Sequence, residues 1–252
     1  MAENRGHLSE AASCIPTIAK AGSIAAFGVA LSYLASSLCA VLMPPELQGR
    51  PDVPPHQFWT VLSQDPLAHL AFHWSWVAAG FFGLGAVPAI SLVVWSANRG
   101  AVLWSAAAAF SGFAVLARSH LMEVAFDRRI IPHYRHAEPA FQQAVQVVAG
   151  LALDVPDGVL TYGAIGVWVV TVSWLALRAR LLPGPLCALG YATGLTYFAG
   201  LLGYTFLVHW LLVLSIGLGG FLLAPIWYAW FGFVLRGRAA QQGAAADAGQ
   251  PS

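Results

Sequence analysis

Six apolar runs, each of about twenty residues or more, constrain this chain more than any other feature. They fall at roughly 17–43, 67–96, 100–128, 157–180, 185–208 and 212–235. A hydrocarbon layer about 30 Å thick is crossed by about 20 apolar helical residues, so each run has the length of one crossing. The expected fold class is therefore all-α, a polytopic membrane protein of six transmembrane helices in contact with a lipid bilayer. Composition agrees: the chain is 58% hydrophobic and 9% charged, with mean hydropathy +0.68. A soluble domain carries roughly a quarter charged residues, so there is too little polar surface here to cover a water-soluble globule. The net charge of +1, with no basic stripe, excludes a nucleic-acid partner.

The joins NRG (98–100) and LPGP (182–185) consist of helix breakers and read as tight turns. The connection 43–66 contains Pro44, Pro45, Pro51, Pro54 and Pro55, which predicts no regular helix there. In 129–156, the stretch EPAFQQAVQVVAG puts Phe141, Ala144, Val145 and Val148 on one face, and a short helix along the membrane surface is expected. The chain thus divides into a polar N-terminal segment (1–16), a six-helix transmembrane domain (17–236) and a small, polar tail (237–252) expected to be disordered. The first span reads as a retained anchor, because no basic segment directly precedes an apolar run.

Six crossings return both termini to one side. Arg5, Lys20, Arg99, Arg178, Arg180, Arg236 and Arg238 share that side, while Arg50, Arg128, Arg129 and Arg135 share the other. That bias predicts both termini in the cytoplasm. Glycines in spans two, five and six allow close helix packing, and Pro225 is expected to kink span six. Cys14, Cys39 and Cys187 have no metal-binding spacing and read as small apolar fillers.

Ionisable residues within the spans gather at one end. With the termini inside, His120, Glu123 and Asp127 occupy the outer half of span three, and His69 and His73 the outer end of span two. Asp154 and Asp157 open span four, and His209 follows span five. At about 100° per residue, His120, Glu123 and Asp127 lie within an arc of about 60°, and His69 and His73 share a face one turn apart. The expectation is one outer-leaflet pocket fed by four segments. Arg118 points away from Glu123 and needs another partner, such as Asp154, or must snorkel to the headgroups. Each residue has a plainer role too. His69 and His73 fit an interfacial position, Asp157 complements a helix N-terminus, and His209 fits a hydrogen bond to a carbonyl. His133 and His136 read as loop residues.

Three kinds of function fit this pattern. In the first, His69, His73, His120 and His209 ligate zinc, copper or iron, with Glu123 as ligand or general base. A variant uses two of the histidines as axial ligands of haem b. The protein would then be a metal- or haem-dependent membrane enzyme acting on a small-molecule or lipid-like substrate. In the second, Glu123, Asp127 or Asp157 is the catalytic proton donor of a metal-free cyclase or isomerase acting on an isoprenoid-like substrate. In the third, the chain is a non-catalytic accessory subunit of a larger membrane complex, and the polar cluster is structural.

The second half also resembles a known group. AFQQAVQVV leads into DGVLTYGAIGVW; RARLLPGPLCALGYATGLTYFAGLLGY and GLGGFLLAPIWYAWFGFVLRGR follow. These resemble the surface helix, the LP-x-x-LG turn and the Trp-rich last helix of an uncharacterised bacterial six-span membrane family, a domain of unknown function. The likeness covers about residues 138–236. It implies a six-helix domain in a bacterial cytoplasmic (inner) membrane, and no activity or functional residue.

Overall fold

A computed structural model describes residues 3–48, 53–152 and 158–248. Among these residues the chain is helical, with no strand. The helices are α1 (Glu3–Leu42), α2 (Pro55–Leu62), α3 (Leu67–Val93), α4 (Arg99–Tyr134), α5 (Pro139–Ala152), α6 (Ile165–Arg178), α7 (Gly184–Thr205), α8 (His209–Leu214) and α9 (Ala224–Ala248). Two π-helical stretches interrupt the regular winding: Val159–Ala164 leads into α6, and Ser215–Leu223 joins α8 to α9. Six helices are long and apolar enough to cross a bilayer, the last being the continuous His209–Gln242. The protein is thus a multi-pass membrane protein.

The spans form a circuit. α1 packs on α3 and α9, α3 on α4, α4 on α6, and α6 on α7, which returns through the π-helical part of span six. Their shared core is aromatic, with Trp168, Trp227, Tyr228, Phe113 and Phe231 all shielded from solvent and lipid. Burying an indole N–H in this setting demands an acceptor, and Trp168 Nε1 donates to Ser91 Oγ at 2.9 Å, tying α6 to α3. Large apolar side chains such as Leu31, Phe81, Leu103 and Leu195 face outward; in a bilayer that outward face is solvated by acyl chains rather than water.

A second, smaller core lies outside the span bundle. Met43, Leu47, Trp59, Leu62, Tyr134 and Val145 pack together, with α2 and α5 covering the end of α4. α5 is the surface helix expected from EPAFQQAVQVVAG. The connection before α3 is more ordered than its prolines implied. Pro54 caps α2 and Pro55 occupies its first turn, where a missing N–H costs nothing because the first turn has no intrahelical acceptor. α9 continues to Ala248, through most of the segment read as tail. Pro225 lies at the start of α9, next to the π-helical stretch that takes up the interruption of hydrogen bonding.

Candidate metal centre

α3 and α4 approach each other more closely than side chains normally allow. A Cβ at Gly80 would stand 2.6 Å from that of Ala117, and one at Gly83 would stand 2.2 Å from the Phe113 ring. Two glycines on one face of α3 therefore let it lie against α4. Two turns before Gly80 comes His73; just after Ala117 come His120 and Glu123. The antiparallel pairing brings these three to the same end of the contact.

Their donor atoms converge. His73 Nδ1 is 2.5 Å from Glu123 Oε2 and 2.8 Å from His120 Nδ1, and His120 Nδ1 is 3.6 Å from Glu123 Oε2. Each of these atoms carries a lone pair when both imidazoles hold their single proton on Nε2 and the carboxyl is ionised. Three such atoms repel one another unless an Nδ1–H proton or a metal ion sits among them. His73 is buried and the other two are half-buried. Trp76 stacks on His120 with ring centroids 5.8 Å apart and planes at 16°, fixing the plane of that imidazole.

A second pair supports the first. The His69 ring lies 4.4 Å from that of His73, and His69 Nε2 is 3.2 Å from Asp127 Oδ2. Asp127 is only 2% exposed, and Phe58 of α2 meets His69 edge-on at 5.6 Å. Neither His69 Nδ1 nor Asp127 Oδ2 makes a regular hydrogen bond among the described residues. Asp127 thus faces His69, not the Glu123 group whose helical arc it shares.

The group is narrower than the sequence implied. Among the described residues, α3 and α4 alone supply it. His209 is exposed in the first turn of α8, two residues after Leu207, whose φ is +54°, and it is not one of the converging donors. Asp154 and Asp157 lie outside the described residues. Arg118 is exposed and makes no ion pair among the described residues. At 1.5 Å per residue it stands about 28 Å along α4 from Arg99, where a guanidinium can reach the far headgroup layer. The His73 group lies about a turn further along α4.

Sequence reasoning missed what lies beside His120. Tyr33 Oη and Tyr197 Oη are 2.5 Å apart, and both border a cavity of ≈ 220 Å³ that reaches His120. A signal was present: each tyrosine sits within an apolar span, where a phenol hydroxyl must find a partner.

Fold and site together define a six-span helical membrane protein with a two-histidine, one-carboxylate group at one end of its bundle. No protein-family model, curated protein or solved structure matches the chain, so this class rests on the residues themselves.

Proposed function

We propose that the protein is a metal-dependent membrane enzyme in which His73, His120 and Glu123 hold one transition-metal ion. The observation that carries this reading is the convergence of two imidazole nitrogens and one carboxylate oxygen, all within 4.8 Å of one another. Two imidazoles and a carboxylate with a free position make up the donor set of catalytic zinc and of non-haem ferrous iron. In a tetrahedral site with bonds of about 2 Å the donors stand about 3.3 Å apart, within the range spanned here. Such an ion would polarise a substrate oxygen or lower the pKa of a bound water. The chain's own residues would orient the ion, through the Trp76 stack on His120 and through His69 and Asp127 beside His73.

Haem fits less well. Axial nitrogens lie on opposite sides of an iron, about 4 Å apart at bonds of about 2 Å, whereas His73 Nδ1 and His120 Nδ1 are 2.8 Å apart. The substrate is a small or lipid-like molecule reached from the membrane. The arginine and lysine bias supports cytoplasmic termini, with the metal group near the outer face, and the resemblance of the second half supports a bacterial inner membrane.

Metal analysis tests this reading. The full chain, purified in detergent, is loaded separately with zinc, iron or copper, then desalted and analysed by elemental mass spectrometry. About one equivalent of one metal should be retained, falling to about a tenth or less in His120→Ala and in Glu123→Gln. Wild-type protein that keeps no more metal than these variants would overturn the reading and leave a shared proton holding the group.

A further inference from the structure

The cavity next to His120 exists because of the backbone around it. Both π-helical stretches contribute to its wall: Tyr162 from the first, and Ser215, Gly219 and Gly220 from the second. A π turn holds an extra residue, widens the helix and packs poorly, and such turns recur at functional sites. The two glycines, lacking side chains, leave the space open. At ≈ 220 Å³ the cavity exceeds the roughly 150 Å³ apolar cavity that is known to admit benzene. It therefore has room for one substituted ring.

The lining sets the chemistry of the occupant. No Lys, Arg, Asp or Glu borders the cavity; its polar groups are the hydroxyls of Tyr33, Tyr197, Thr196 and their neighbours, together with His120. In the metal-free chain, phosphates and carboxylates would enter without a counter-charge, at the full cost of desolvation. Trp76 and Tyr162 present flat aromatic faces, suited to stacking against a ring. The Tyr33–Tyr197 pair adds a directional element. Tyr197 also meets the buried Tyr228 hydroxyl; with donation running Tyr228 to Tyr197 to Tyr33, the Tyr33 O–H at the cavity wall is left to donate to an oxygen on an occupant.

We propose that this cavity binds a neutral, single-ring, oxygen-bearing molecule, its oxygen accepting a hydrogen bond from the Tyr33–Tyr197 pair and its ring lying against Trp76. This deepens the reading above, because it names the substrate class of the same site. Binding in the cavity does not require the metal, so the two readings fail separately. The ring belongs either to a small free phenol or to a membrane-dissolved molecule whose chain trails into lipid past Val159–Ala164, a stretch with no buried residue.

Saturation-transfer NMR on the full chain, stripped of metal with a chelator and held in lipid nanodiscs, decides among these. The probes are 4-methylphenol, toluene, 4-methylphenyl phosphate and 4-dodecylphenol. We expect 4-methylphenol to bind about tenfold tighter than toluene, the upper end for one neutral hydrogen bond, and the phosphate not to bind. The double variant Tyr33→Phe/Tyr197→Phe keeps both rings and should reduce 4-methylphenol to the toluene level, while its metal retention after loading stays at the wild-type level. Ile216→Trp, which fills the cavity, should abolish binding of all four probes. Tighter binding of 4-dodecylphenol identifies the ring end of a membrane molecule; equal binding identifies a free phenol. Equal affinity for 4-methylphenol and toluene in the wild type, or unchanged 4-methylphenol binding in the double tyrosine variant, overturns the proposal.

Discussion

Gly83→Ala tests the α3–α4 contact on which the metal group depends. The new methyl would stand 2.2, 2.4 and 2.5 Å from three carbons of the Phe113 ring. Non-bonded carbons rest at about 3.5 Å or more, so ring or helix must move by roughly 1.3 Å. Phe113 has little freedom to do so: it is 0% exposed and lies edge-on to Tyr228 at 6.4 Å. Overpacking of a filled core costs typically 1–3 kcal/mol, and this degree of overlap belongs at the upper end, about 2–3 kcal/mol. At roughly 2–4 °C per kcal/mol for a chain of this size, Tm in detergent should fall by about 5–10 °C. A double-mutant cycle isolates the cause. Phe113→Leu alone removes packing and costs about 1–2 kcal/mol, but it also vacates the space that the methyl needs. Gly83→Ala/Phe113→Leu should therefore be more stable than the sum of the single effects predicts, by at least about 1 kcal/mol. Gly184→Ala is the control, since nothing lies within 4 Å of its Cβ position. The assay is thermal unfolding followed by tryptophan fluorescence. A Tm for Gly83→Ala within about 1 °C of wild type, or strict additivity in the cycle, would refute the close approach of the two helices.

Two further predictions concern the polar end of the bundle. Protons compete with a metal for imidazole nitrogens, so occupancy should fall as pH is lowered from about 8 to about 5, with up to about two protons taken up per ion released; competition titrations against a chromogenic chelator would show this, and pH-independent affinity would contradict ligation by His73 and His120. Asp127→Ala strips the buried His69 of its partner 3.2 Å away and should destabilise the protein by about 3 kcal/mol, seen in the same melts, with an undiminished Tm arguing that the pair has no structural weight.

Part of the site was legible in the sequence for local reasons. His69 and His73 repeat at one helical turn, as do His120 and Glu123 within less than a turn, so their shared faces follow from the pitch of a helix. That His73 meets His120 was not legible. Their contact depends on Gly80 and Gly83 facing Ala117 and Phe113, and glycine occurs in several spans without naming its partner. Asp127 shows the same limit. Helical phase groups it with Glu123, but the neighbouring helix offers it His69. Asp157 was read as a catalytic candidate and lies outside the described residues, and His209, exposed at the start of α8, is not among the converging donors.

The sequence by itself determined that the chain has six helices long and apolar enough to cross a bilayer, and that α3 and α4 each carry ionisable residues on one face. Those properties sum over neighbouring residues, because transfer of a segment into lipid depends on its own side chains and its own backbone hydrogen bonds. Tertiary structure alone decided which imidazole faces which carboxylate, and that a tyrosine-lined cavity opens beside them. Those depend on how helices rotate and how closely they approach, and both are set by contacts between residues far apart in the chain.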